Sequence, residues 1–321
     1  RGIEVVVVGG EAAGMRAGLA DSGVEHRPAG DPLSALAGLL RLRRVDLVHA
    51  HMTSAELASA IAKPLLQCRL VVTRHFARRR GSTFAARFAG RLASHVIDRQ
   101  VAPSEYVARH VEGASEVVLS GVPAVDLEPE PDQIRPFVLV AQRMEEEKAG
   151  PLAIRAWAAS GLGSRGWRLV FAVDGRQRGA LQLLVDELGV AGSVSFPGFV
   201  GDVGKLMHRA SVFLAPAPSE PFGLSVVEAM AWGVPVLAAG SGGHLETAGR
   251  ARPDCLFPPG DVEAAAERLA GLAADGGLRL DCGRALRRFQ RAELSVETHV
   301  DGLLRVYAAT AQGPRRRSLA G

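Results

Sequence analysis

Apolar positions in this chain fall into short continuous runs and into stretches with helical spacing, and the two kinds take turns from end to end. Gly2 to Val8, Val45 to His49, Arg69 to Thr73, His95 to Ala102 and Glu116 to Ser120 read as strands. Between them the spacing predicts helices near 11–20, 32–43, 53–65, 83–94 and 104–111. Such alternation implies parallel sheets flanked by helices. Residues Pro123 to Pro136 carry four prolines and four acids, break the pattern and read as a linker. Alternation resumes from Pro136 to about Leu272, and a last helix is expected near Val296 to Ala309.

A chain of 321 residues exceeds one ordinary domain, so two domains of about 150 residues each are expected. The break divides them into 1–125 and 126–295. Hydrophobic residues make up 47% of the chain but aromatics only 5%, so the core must be built from small aliphatic side chains. Cys68, Cys255 and Cys282 are few, odd in number and far apart in sequence. They suit a reducing cytoplasm and no structural zinc. No apolar run reaches the ~18 residues that span a bilayer.

Net charge is only +4, but its distribution is uneven. From Arg69 to Arg99 there are eight arginines, at 69, 74, 78, 79, 80, 87, 91 and 99, against one acid, Asp98. Phe84, Phe88 and Leu92 recur at helical spacing between them. Two readings of Arg74 to Arg91 stand side by side: a basic amphipathic helix for an anionic membrane or a phosphorylated acceptor, or a core-packed helix with a solvated basic face. Nucleic acid is disfavoured, because no recognition motif accompanies the charge.

The chemistry concentrates in Glu220-Pro-Phe-Gly-Leu-Ser-Val-Val-Glu228. A buried-strand run, Ser211 to Ala215, precedes it, and helical spacing through Leu224, Val227, Met230 and Ala231 leads to a second strand, Val236 to Ala239. Strand, loop, helix, strand places a helix N-terminus where a phosphate settles. Glu228 is expected in the first turn, where an ionised carboxylate accepts hydrogen bonds from vicinal hydroxyls such as those of a ribose. A purely structural alternative is a Ser225-x-x-Glu228 capping box. His75 stands just past a strand end, where open α/β sheets gather ligands. His49 and His51 share a strand face as two metal ligands do, but no third ligand accompanies them, so zinc is not expected.

Glu220 and Glu228, with Pro-Phe-Gly after the first and Glu-Ala-Met-Ala-Trp-Gly-Val-Pro-Val at the second, resemble the donor site of the family 4 retaining glycosyltransferases. Val138 to Gly150, Ser193 to Val200, Ser241 to Glu246 and Leu256 to Asp261 are similar to further family segments, in the same order. The resemblance implies an α/β GT-B fold, two Rossmann-like domains facing across a cleft, with the helix near 296–310 returning to the first. It implies transfer of a sugar from a UDP-, GDP- or ADP-sugar to an acceptor alcohol, lipid-linked or phosphorylated, with no cofactor and no metal. Arg143, Lys148 and Lys205 are then expected at the diphosphate, Glu220, Phe222, Gly223 and Leu224 at the sugar, and Glu228 and Val200 at the nucleoside. His75 and Glu220 are the expected catalytic pair, and the setting is cytoplasmic, peripheral at the inner face of the membrane. A sugar-nucleotide isomerase, a phosphorylase and a non-catalytic sugar-nucleotide binder are the rival functions. Gly2 to Val8 resembles the family's second strand, and the strand and glycine-rich loop that precede it in the family are missing here; a fragment is the favoured expectation, and a gene product that has lost part of its first domain is the alternative. Gln142 and Ala149 stand where the family has glycine, as does Val173, and Ser120 replaces an asparagine.

Overall fold

The computed structural model describes residues 2–20, 22–42, 44–80, 84–127 and 134–313, with backbone alone at 16, 84–87 and 89. The basic tail Arg315 to Arg317 and residues 128–133 of the acidic linker lie outside the described residues, as do the side chains of Phe84 and Arg87. The chain divides into two units. One comprises residues up to Pro103, Val107–Val118 and the chain from Gly302 onward; the other comprises Ser104–Tyr106 and Leu119–Asp301.

In the first unit the order is β1 (Val6–Val8), α1 (Ala12–Leu19), β2 (Glu25–Arg27), α2 (Pro32–Leu40), β3 (Leu47–His51) and α3 (Thr53–Leu66). Then come β4 (Arg69–Thr73), α4 (Phe84–Val96), β5 (Arg99–Ala102), α5 (Glu105–His110) and β6 (Glu116–Val117). The strands form a parallel pair, β1-β2, and a parallel four-stranded sheet, β3-β4-β5-β6. Leu70 and Val72 pack on one face of that sheet with Ala50 and Ile97, while Val71 and Val101 pack on the other. Both faces are covered, so β4 reads as an unbroken apolar run. β2 escapes a hydrophobicity reading because Glu25-His26-Arg27 is polar; backbone pairing with β1 makes it a strand.

The expected strand from His95 is shorter than its apolar run. α4 continues through Val96, and Asp98 then fixes the turn into β5. Its carboxylate accepts from the Leu70 amide at 2.7 Å and from Lys63 Nζ at 2.7 Å.

The arginine-rich stretch does not form one solvated face. Arg80 is buried, its Nε 2.5 Å from Glu56 Oε1 and its Nη2 2.6 Å from Gln100 Oε1. Gly90 in α4 makes room for it, since a Cβ there would lie 2.9 Å from Arg80 Cβ. Arg74 is also buried and donates to the Arg78 carbonyl at 2.9 Å, 3.4 Å from Glu112. Burial comes first in holding Arg74 below the usual arginine range, opposed by the Glu112 carboxylate. The membrane reading of Arg74 to Arg91 is therefore corrected at Arg74 and Arg80, whose charges are spent inside. Arg78, Arg79 and Arg91 remain exposed, and so do Phe88 and Leu92; the amphipathic stripe is not core-packed at those two positions.

The second unit begins with β7 (Arg135–Val140), α6 (Gly150–Ser160), β8 (Arg168–Phe171), α7 (Arg178–Glu187), β9 (Val194–Ser195) and α8 (Val203–Arg209). It continues through β10 (Ala210–Ala215), α9 (Leu224–Ala231), β11 (Val236–Ala239), α10 (Ala248–Ala251), β12 (Leu256–Phe257), α11 (Val262–Ala274) and α12 (Gly276–Glu293). α13 (Val296–Gln312) follows, and from Gly302 it belongs to the first unit, packing on Val118. The six-stranded sheet has order β12-β11-β10-β7-β8-β9, all parallel. Counted within the unit this is 6-5-4-1-2-3, the doubly wound order whose direction reverses between β7 and β10.

Every residue of β10 is buried, and side chains alternate between two cores. Phe213 and Ala215 join Val226, Val227 and Met230 of α9 on one face, and Val212 and Leu214 join Ile154 and Trp157 of α6 on the other. α12 escapes the apolar pattern because most of its positions are arginine or small. It is held instead through Leu286 and Cys282, and through Gly283, where a Cβ would lie 2.0 Å from the Gly233 carbonyl oxygen. Cys255 and Cys282, distant in sequence, lie with their Sγ atoms 3.2 Å apart as free thiols.

Candidate functional site

The switch between β7 and β10 decides where ligands go, because the loops leaving these strands diverge to opposite sides of the sheet and leave a crevice at their C-terminal ends. Arg143 and Lys148 follow β7, Glu220 follows β10, and His244 follows β11. These strands are adjacent, so three loops spread over about a hundred residues converge.

At the centre Lys148 Nζ lies 2.5 Å from Glu220 Oε2, each side chain 17% exposed. Gln142 Nε2 donates to the Lys148 carbonyl at 2.6 Å and ties the intervening loop into a closed turn. Glycine is not needed at 142 for that tie; a side chain does the holding. Ala149 is different. It adopts φ +50°, ψ +42°, the left-handed conformation that costs an L-residue roughly 1–2 kcal/mol. The glycine usual there in the resembling family is thus explained by backbone geometry.

The Glu220 loop and the loop after β11 pack backbone to backbone. Gly243 N–H donates to the Glu220 carbonyl at 2.8 Å, and a Cβ on Gly243 would sit 2.3 Å from Phe222 Cα. Gly223 has φ +92° and starts α9, with no side chain capping it. Phe222 is buried in the core, so only its backbone faces the crevice, whereas Leu224 is exposed. His244, not singled out from sequence beyond its segment, packs against Gly223, where a Cβ would lie 3.0 Å from its Cδ2. Its Nδ1 donates to the Ala239 carbonyl at 3.0 Å. Burial, more than any neighbour, lowers the His244 pKa, with the Glu220 carboxylate opposing. A neutral imidazole therefore walls the site at pH 7.

Glu228 corrects two expectations. It is the fifth residue of α9, in the second turn, and the Ser225–Glu228 capping box does not form: Gly223 is the N-cap. The Glu228 carboxylate stands at the surface without a hydrogen bond or ion pair among the described residues, and crowding by protein pushes it above the usual carboxylate value. A solvent-open carboxylate without a structural partner is available to a ligand.

Other expected residues are less tightly gathered. Arg143 is exposed, 3.6 Å from Glu147. Lys205 on α8 is 83% exposed and lies 3.3 Å from Asp202. Val200 packs partly against the core, while its neighbour Phe199 is exposed.

In the first unit, His75 Nε2 lies 2.9 Å from His51 Nδ1, and the His49 and His51 rings have centroids 4.3 Å apart. His49 is engaged on both nitrogens, by Tyr307 Oη at 2.6 Å and Thr73 Oγ1 at 2.7 Å. Among the described residues no group of three or more His, Cys, Asp or Glu has metal-binding geometry. No described helix is long and apolar enough to cross a membrane.

Residues 127–289 match the family described as Glycosyl transferases group 1, and residues 1–118 match Glycosyltransferase Family 4. The 2-deoxystreptamine glucosyltransferase of Streptomyces kanamyceticus is 30% identical over 188 residues, 58% of this chain and 48% of that protein. The D-inositol 3-phosphate glycosyltransferase of Salinispora arenicola is 39% identical over 142 residues, 43% of this chain and 31% of that one. These matches span about half or less of the relatives' own length. Among solved structures, HepE of Anabaena in complex with UDP and glucose superposes with a TM-score of 0.80, at 19% identity over 95% of this chain and 91% of that one. A glycosyltransferase of Rickettsia africae gives 0.76 at 17% identity, over 96% and 90%. These superpositions show the fold, GT-B.

Proposed function

The chain belongs to the glycosyl transferases group 1 family, and on that premise we propose that it is a retaining glycosyltransferase, moving a sugar from a nucleoside diphosphate to an acceptor hydroxyl. The observation that supports this most is the Lys148–Glu220 pair at the β7–β10 switch. An ammonium and a carboxylate held side by side there suit a ligand with a phosphate at one end and hydroxyls at the other.

Lys148 and Arg143 compensate the charge that grows on the diphosphate as the glycosidic bond breaks, and Lys205 adds to the field. Side-chain cations fill the role for which other enzymes use a divalent ion. Glu220 accepts from the sugar hydroxyls beside the Gly223 and Leu224 backbone, and Glu228 accepts from the ribose while Val200 meets the base. The acceptor proton passes to a donor phosphate oxygen, so Glu220 positions the sugar and forms no covalent bond. His75 serves the acceptor side. The relatives named for UDP or a glucosyl group favour a UDP-sugar, and exposed Arg78, Arg79 and Arg91 favour an anionic acceptor or membrane surface.

The test is incubation with UDP-, GDP- and ADP-glucose and an acceptor alcohol in excess EDTA, with the product anomer assigned by NMR. Product of retained configuration is expected. An inverted anomer, or strict need for a divalent ion, overturns the mechanism; conversion of the sugar nucleotide without acceptor points to an isomerase.

A further inference from the structure

A second cavity of about 660 Å³ opens in the same unit at the other end of its sheet. It is lined by Pro136 beside the start of β7, Ser211 at the start of β10 and Pro235 just before β11. β10 is six residues long, which at ~3.3 Å per residue sets this cavity about 20 Å from the strand ends carrying Lys148 and Glu220.

Its lining is strongly one-signed. Arg279, Arg284, Arg287, Arg288 and Arg291, all on α12, face it, and among the described residues no Asp or Glu lines it. Three of these are anchored to backbone carbonyls. Arg279 Nη1 donates to Ala273 O at 2.9 Å with its guanidinium 5.5 Å from the Trp167 ring centroid, Arg287 Nη2 donates to Leu127 O at 2.8 Å, and Arg291 Nη2 donates to Val125 O at 2.7 Å. Acids stand near the rim at Asp275 and Asp126, the latter 3.4 Å from Arg291. Arg284 and Arg288 are exposed and have no hydrogen bond or ion pair among the described residues. Two indoles, Trp167 and Trp232, add aromatic faces to the walls, and Trp232 is braced edge-on by His208 at 5.4 Å.

A stability role explains the anchored arginines but not the other two. Arg284 and Arg288 carry like charges that no described acid pairs, and such charges repel. Guanidinium groups take phosphate oxygens in bidentate fashion, and indole faces take planar rings. We propose that this cavity is a second, anion-binding site for a soluble phosphate ester carrying at least two negative charges and a planar ring, a nucleotide being the type. α9 joins the two ends of the unit: its first residue, Leu224, is at the donor crevice, and its C-cap, Trp232, lines the cavity.

The chain has three tryptophans, and Trp157 is sealed in the core, so emission changes report Trp167 and Trp232. ATP is titrated at low salt with excitation on the red edge of indole absorption. We expect saturable quenching in the parent and in Arg143→Ala. In the Arg284→Gln/Arg288→Gln double variant the dissociation constant should rise at least tenfold, with an unchanged melting temperature, and Arg284→Lys/Arg288→Lys should recover part of the loss. No saturable quenching up to millimolar ATP overturns the proposal. So does quenching that Arg143→Ala abolishes and the double glutamine variant keeps, or sedimentation with phosphatidylglycerol vesicles in the absence of any ATP response.

Discussion

Lys148 and Glu220 lie 2.5 Å apart although 72 residues separate them, because β7 and β10 are neighbours in a sheet that reverses direction between them. In the free protein each neutralises the other. On the proposed function, a sugar diphosphate would exchange its phosphate for the carboxylate and its hydroxyls for the ammonium.

Arg143→Ala and Lys148→Ala should each weaken nucleoside diphosphate binding by roughly 1.5–3 kcal/mol, the worth of a charge-assisted contact, and leave nucleoside binding nearly unchanged. Calorimetry with both ligands measures the split. Equal losses would move the diphosphate elsewhere.

Glu228→Gln should lower donor affinity without lowering the melting temperature, because no cap or ion pair is lost. Its pH profile carries a second signature. A carboxyl held by burial above its ordinary value of 4.5 binds more protons folded than unfolded. Its contribution to stability is therefore present below that value and lost as pH rises through the folded pKa. The variant should lack this fall, and at pH 7 its melting temperature should equal or exceed the parent's. A clear drop would assign Glu228 a structural duty.

Ala149→Gly should stabilise the protein by roughly 0.5–1 kcal/mol, relief of left-handed strain outweighing the extra freedom of glycine in the unfolded chain. The urea midpoint should rise. If it falls, the side chain of Ala149 contributes packing that exceeds the strain.

Glu56→Ala removes the carboxylate 2.5 Å from the buried Arg80 Nε, leaving the guanidinium only Glu112 at 3.7 Å among the described acids, and should cost about 3–5 kcal/mol. Arg91→Gln, at an exposed position of the same basic stretch, should change stability by no more than about 0.5 kcal/mol. Chemical denaturation of both variants tests whether the stretch is an interior ion-pair site at one end and a free surface at the other.

What the sequence determined by itself is what period and local chemistry can encode. β4 and β11 appear at the residues their apolar runs mark, and β10 differs by one residue, because a strand buried on both faces admits no polar interruption. The Glu220–Glu228 segment is legible because a helix must start after Gly223, the residue able to hold φ +92° there at no steric cost. β2 and α12 were not legible, since one is defined by backbone pairing with β1 and the other by Gly283 meeting Gly233. Only the tertiary structure decided which charges are free. Arg74, Arg80, Arg78 and Arg91 look alike along the chain, yet the first two are buried beside Glu56 and Glu112 and the last two face water. Likewise Ser225 and Glu228 have the spacing of a cap, but the helix begins one residue before the serine and leaves Glu228 open. Spacing specifies which residues share a face; burial and partners depend on what the rest of the chain brings to that face, and a one-dimensional pattern does not contain that.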